Sequence, residues 1–91
     1  MAVTVRIPTT LRPLAAGNST VSVEGSTVAE VLKQLDAAHP GFTDRLLDDN
    51  GGLRRFVNVF VSDDDIRYLD GMKTSLSEND TVTIMTAFAG G

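Results

Sequence analysis

Cysteine is absent from this 91-residue chain, and its absence removes whole classes of chemistry. Without a thiol there is no disulfide framework, no Cys-ligated zinc, no iron–sulfur cluster and no cysteine nucleophile. Any sulfur that the protein handles cannot sit on a side-chain thiol. Histidine occurs once. His39 stands ahead of Pro40 with no nucleophile at a telling spacing, and it reads as a structural surface residue. Basic residues are scarce: 8 Lys and Arg against 12 Asp and Glu give a formal net charge of -4. That balance argues against a nucleic-acid or anionic-membrane partner, which would want clustered cations. No apolar run approaches the ~18–20 residues of a membrane span, and MAVTVRIPTT lacks the features of a signal peptide. A cytoplasmic location is expected.

What is present is the composition of an ordinary globule, 42% apolar and 22% charged. A chain of this length suits one domain, burying roughly 60–65% of the surface that it exposes when unfolded. AVTVRI alternates Val3, Val5 and Ile7 with Thr4 and Arg6 and predicts a strand at 2–7; STVSVE predicts a second at 19–24. The connection between them closes on Gly17-Asn18. The period then changes. Val28, Val31, Leu32 and Leu35 stand at i, i+3, i+4 and i+7, the stripe of an amphipathic helix. Thr27 with Glu30 fits a capping box at its start, and Pro40 stops it near His39.

A further helical turn is expected at 42–47, burying Phe42, Leu46 and Leu47, followed by a loop at 48–54. RFVNVFV predicts the strongest strand, 55–61, with Val57, Val59 and Val61 on one face and Phe56, Asn58 and Phe60 on the other. SDDD at 62–65 reads as a turn, IRYL at 66–69 as a short strand, 72–80 as irregular, and TVTIMTAF at 81–88 as the last strand. One helix cannot cover both faces of a sheet, so an α+β domain with one open face follows. Thr4, Arg6, Phe56, Phe60, Thr83 and Met85 belong on that face. Either loops cover its two phenylalanines and methionine, or it docks another protein.

No catalytic set emerges. Asp63, Asp64 and Asp65 lack the spacing of a calcium loop and read as a solvated turn or an acidic recognition patch. Gly51-Gly52 lacks the Lys-Ser/Thr of a phosphate-cradling loop, and no metal ligand set is expected. What remains is TAFAGG, 86–91. Two adjacent glycines are a poor way to hold a fold together, because glycine loses most freedom on ordering and packs no side chain. They suit a thread. Ala87, Phe88, Ala89, Gly90 and Gly91, extended at ~3.3 Å each, reach about 17 Å, slim enough to enter a narrow site in a partner. The domain is therefore expected at 1–86 and a flexible tail at 87–91. Adenylation of the Gly91 carboxylate would give a mixed anhydride open to attack by sulfide or a persulfide, leaving a terminal thiocarboxylate. No trimming of a precursor is expected.

The strand–helix order, together with VTVRIPTTLRP at 3–13, RFVNVFVSDDDIRYLDG at 55–71 and ENDTVTIMTAFAGG at 78–91, resembles the ubiquitin-like β-grasp sulfur carriers. That family includes the small subunit of molybdopterin synthase and the thiamine-pathway carrier. The segments look most like the branch that donates thiocarboxylate sulfur for O-phosphoserine-dependent cysteine biosynthesis. The resemblance implies a mixed sheet of four to five strands packed on one main helix, with the first and last strands parallel at its centre. It implies a protein co-substrate rather than an enzyme, with no bound cofactor and monomeric when free. Gly91 would be adenylated by an activating enzyme using ATP and magnesium. The thiocarboxylate would attack an aminoacrylate on the pyridoxal phosphate of a cysteine synthase, and a zinc metalloprotease would release the new cysteine. Phe56, Phe60 and Met85 are expected to anchor such partners, with Asp63, Asp64 and Asp65 speeding encounter. Many relatives place a proline before the glycines, where this chain has MTAFAGG. A molybdopterin-synthase subunit, a ubiquitin-like modifier conjugated through Gly91 and a plain interaction module are the other readings.

Overall fold

The computed structural model describes residues 2–86. Period-two alternation builds strand β1 (Ala2–Arg6), which hides Val3 and Val5 and exposes Thr4 and Arg6. It pairs antiparallel with β2 (Thr20–Glu24), Val3 facing Val23 and Val5 facing Val21. The connection between them is more ordered than its sequence suggests. Pro8, already at φ -66, opens a 3-10 helix over Thr9–Ala15, and Leu11 and Ala15 are buried in the core. Gly17 N–H donates to the carbonyl of Arg12 at 2.7 Å to end it.

The apolar stripe sets the next element. Helix α1 (Val28–Ala38) buries Val28, Val31, Leu32 and Leu35, each worth about 1.5–3 kcal/mol of transfer free energy. Thr27 Oγ1 accepts the N–H of Glu30 at 3.2 Å, as a capping residue should. The return contact lands one residue earlier than a capping box requires, since Glu30 accepts from the Ser26 hydroxyl at 3.1 Å. Gly25 is needed just before this turn, because a Cβ there would lie 2.7 Å from Val31 Cγ2 and 3.0 Å from the Val31 nitrogen. After Pro40, the Asp36 carboxylate accepts the N–H groups of Gly41 at 3.1 Å and Thr43 at 3.0 Å. Those bonds start α2 (Phe42–Leu46). Phe42 and Leu46 are buried, and Leu47, expected with them, is half-buried against the core.

Strands β3 (Val57–Val61), β4 (Asp64–Asp65) and β5 (Thr81–Thr86) complete a sheet of order β2-β1-β5-β3-β4. β5 runs parallel to β1 and antiparallel to β3, so the mixed sheet with its first and last strands adjacent at the centre is as expected. Val5, Val59, Val82 and Ile84 meet the α1 stripe in one core.

Two expected strands shift. The 66–69 segment is not a strand. The chain reverses sooner, with Val61 opposite Asp64, because Ser62 adopts φ 56 and its N–H donates to the Thr81 carbonyl at 2.7 Å. β4 therefore falls on Asp64–Asp65, inside the expected turn. Asp65 then accepts the N–H of Arg67 at 2.8 Å and winds Ile66–Tyr68 into a 3-10 turn. β3 also begins two residues late, since Val57 N–H donates to Arg54 and holds residues 54–57 in a turn. Phe56 accordingly leaves the strand. The irregular 72–80 stretch is tied down at Thr74, whose hydroxyl donates to Gly71 at 2.7 Å, and Leu76 packs into the core.

Candidate functional site

β5 is the element that carries the chain to Thr86, the last described residue. On one side it is clamped along its length by β3, from Val61 opposite Val82 to Val57 opposite Thr86. On the other side its pairing with β1 stops at Arg6 and Thr83. Pro8 explains the stop: it has no N–H to give a ladder and turns the chain into the 3-10 helix. Ile84, Met85 and Thr86 thus border a groove of about 600 Å³, lined also by Arg6, Pro8, Thr10, Arg12 and Thr20. The Thr10 and Thr86 hydroxyls meet across it at 3.1 Å. The guanidinium of Arg12 is fixed by an Nε bond to the Ile7 carbonyl at 3.2 Å, whereas Arg6 is exposed.

The open face carries successive cross-strand rows. Thr20, Arg6, Thr83, Phe60 and Asp65 follow one another from β2 to β4. Met85 stands opposite Asn58 one row nearer the tail root. Hydroxyls and guanidinium groups line the groove, but no nucleophile, base and acid come together there. Among the described residues, no group of three or more His, Cys, Asp or Glu could hold a metal ion.

The model of the ThiS family matches residues 5–91. The sulfur carrier protein CysO of Mycobacterium tuberculosis is 45% identical over 93 residues, covering 100% of both chains. The chain belongs to the ThiS family. Among solved structures, the BexX/CysO complex of Amycolatopsis orientalis contains a chain that superposes with a TM-score of 0.91 at 40% identity, covering 98% of this chain and 99% of that one. Small archaeal modifier protein 3 of Haloferax volcanii is 37% identical over 68 residues, 75% of this chain and 73% of its own. The β-grasp architecture expected from the sequence is thereby shown.

Within this ThiS-family fold the expected site residues separate along β5. Met85 is 50% exposed one residue before Thr86, and Phe56, also 50% exposed, lies in the turn that precedes β3. Phe60 is half-buried in the middle of the face, and Asp63 and Asp64 are exposed on the far hairpin, with Asp65 half-buried behind them. Val61 and Val57 bracket that separation, roughly 13 Å of strand. The face is thus neither covered, as one reading had it, nor uniformly apolar. Gly91 and the tail residues Ala87, Phe88, Ala89 and Gly90 lie outside the described residues. Sequence reasoning missed Thr10 and Arg12 in the groove, and Tyr68, which is 87% exposed. Reading 66–69 as strand concealed Tyr68; nothing local could have paired Thr10 with a residue 76 positions away.

Proposed function

We propose that this ThiS-family chain is a sulfur carrier whose working group is the carboxylate of Gly91, with 1–86 as the domain and 87–91 as the thread that a partner admits. The observation that carries the reading is the family match that runs through the diglycine to residue 91. Full-length likeness to a CysO sulfur carrier supports it. The absence of cysteine fits too, since the sulfur would ride on the main chain. The Gly91 carboxylate attacks the α-phosphorus of ATP, magnesium-bound in an activating enzyme, and pyrophosphate leaves. Hydrosulfide then adds to the acyl carbon and AMP leaves, so one carboxylate oxygen departs on AMP and sulfur takes its place. The recipient is a pyridoxal-phosphate-dependent cysteine synthase, whose acylated product a zinc metalloprotease cleaves. Gly90 and Gly91 let the backbone pass without Cβ clashes.

The docking surface in this reading is the open face, with Phe56, Phe60 and Met85 as anchors and Asp63, Asp64 and Asp65 as charges that act during encounter. The chain works as a monomer between partners, in the cytoplasm where ATP is at hand. No helix among the described residues is long and apolar enough to cross a membrane. The Amycolatopsis relative found in complex with BexX is consistent with a carrier that visits other proteins.

Incubation with the activating enzyme, ATP and sulfide should raise the intact mass by the difference between sulfur and oxygen. No such gain, under conditions that convert a known carrier, overturns the reading. The likeness to an archaeal modifier protein favours a second use of the same terminus, conjugation to lysines. Isopeptide adducts bearing Gly91 in cell lysate would establish it, and their absence would dismiss it.

A further inference from the structure

The protein is acidic overall, with a formal net charge of -4, yet its arginines are not scattered. Arg6 and Arg12 line the groove that contains Thr86. Arg54 and Arg55 lie in the turn directly ahead of Val57, the residue paired with Thr86. Arg67 comes from beyond β4, but its guanidinium reaches back to the Val57 carbonyl at 3.2 Å. The groove (Arg6 and Arg12), the turn ahead of β3 (Arg54 and Arg55) and the Arg67 bond to Val57 thus bring five of the six arginines toward the Thr86 end of β5. The acidic residues near Arg54 are Asp44 in α2, whose carbonyl accepts from the Arg54 Nε–H at 3.1 Å, and Asp48 and Asp49 in the loop that follows. The Asp48 carboxylate is engaged by the N–H groups of Asn50 at 2.9 Å and Gly52 at 3.0 Å.

The opposite end of β5 has the reverse character. Ser62 N–H bonds to Thr81, and the Ser62 hydroxyl to Asp80 at 3.3 Å. Asp63 and Asp64 crown the hairpin beside them, and Glu78 is exposed in the approach to β5. The strand that delivers the tail thus runs from a carboxylate-rich end to a guanidinium-rich one.

We propose that the five arginines form a basic docking collar, and that it fits a partner protein presenting carboxylates around the mouth of the site that takes the tail. The charge pattern of the molecule decides the partner's sign. A basic rim would be drawn to the acidic bulk of the molecule and to the hairpin, and would bring the wrong end forward. An acidic rim attracts the collar and repels the hairpin, so that the carrier approaches tail-first. Asp63, Asp64 and Asp65 act in this encounter by turning the molecule rather than by attracting the partner. Exposed charges of this kind act chiefly on the rate of encounter and fade once salt shortens the Debye length. The inference rests on the reading of Gly91 as the working group.

The test uses the full chain and the activating enzyme of the same organism, with pyrophosphate release as the readout. The variant is the double substitution Arg6→Glu with Arg55→Glu, whose side chains carry none of the fold's hydrogen bonds found among the described residues. Its control is Lys33→Glu with Lys73→Glu, the same change of net charge at exposed positions on α1 and near its start. At low ionic strength, the collar variant should lose about tenfold in kcat/KM for the carrier, kcat should hold within about twofold, and the control should lose less than about twofold. The deficit should shrink to about twofold near 0.5 M salt. Unchanged thermal unfolding shows that both variants are folded. Equal losses in both variants, a loss that survives high salt, or a rise in the KM for ATP overturns the collar. Failure of the unmodified chain to be activated at all overturns the carrier reading itself, a different result from any of these.

Discussion

Ile84 and Met85 are neighbours in β5 and have opposite fates. Ile84 is buried in the core, while Met85 is half-exposed. The same division runs through the three central strands: Val5 against Arg6, Val59 against Phe60, Val82 against Thr83. The inner set holds the sheet to the helix. The outer set has no such duty and is free to carry aromatic and cationic side chains. Stability and recognition are thus distributed over alternate residues of the same strands, so substitutions on one side should leave the other nearly untouched.

The sharpest way to break this division is at the end of the chain. Adding one residue after Gly91 should abolish sulfur loading, measured by intact mass, and leave the thermal unfolding curve where it was. A large drop in melting temperature would show that the terminus supports the fold. Next in size, Ile84→Ala should cost about 2–5 kcal/mol of unfolding free energy in denaturant titration. Met85→Ala beside it should cost less than about 0.5 kcal/mol; similar losses would erase the distinction between the two faces. Smaller again, Phe60→Ala should weaken binding to the activating enzyme about tenfold, the loss of one aromatic anchor. Asp64→Ala should change it by less than about twofold at physiological salt. Equal effects in calorimetry would remove the anchor.

The smallest effect belongs to Asp36. The backbone N–H of Thr43 holds its carboxyl below the ordinary 3.8, helped by the Thr43 side chain and the N–H groups of Gly41 and Phe42 and opposed by burial. Because the folded value is the lower one, the stabilisation is present above about 3.8 and is lost as pH falls through the folded value. Unfolding of Asp36→Asn against the parent should therefore show a gap at neutral pH that closes under strong acid. A gap independent of pH would mean that the charge of Asp36 contributes nothing to the start of α2.

Much of this was legible in the residues. Val28, Val31, Leu32 and Leu35 announce α1, and Thr27 marks its start, because helical period and capping are local. Alternation in 2–7, 57–61 and 81–86 likewise exposes the sheet. The misses were of two physical kinds. Ser62 takes a left-handed conformation that glycine or asparagine would have signalled, so the hairpin came two residues early and dragged 66–69 out of the sheet. The stretch after β1 was expected only as a connection closing on Gly17-Asn18, and burial of Leu11 and Ala15 shows why 9–15 coils instead. As for the site, Phe60 and Met85 could be placed from period two alone. The groove and its arginines could not, since Arg12 and Arg67 arrive by tertiary contacts that no spacing encodes.

The parallel pairing of β1 with β5 has a consequence for how the molecule is made. These two strands are the farthest apart in sequence order, yet they form the middle of the sheet. On the ribosome, β1, β2 and α1 emerge well before β5, but until it follows they surround an open gap where a neighbour should be. Closure across so long a loop is slow and comes last. A half-synthesised chain therefore lacks the middle of its sheet, and the fold can close only once the chain has been made through β5.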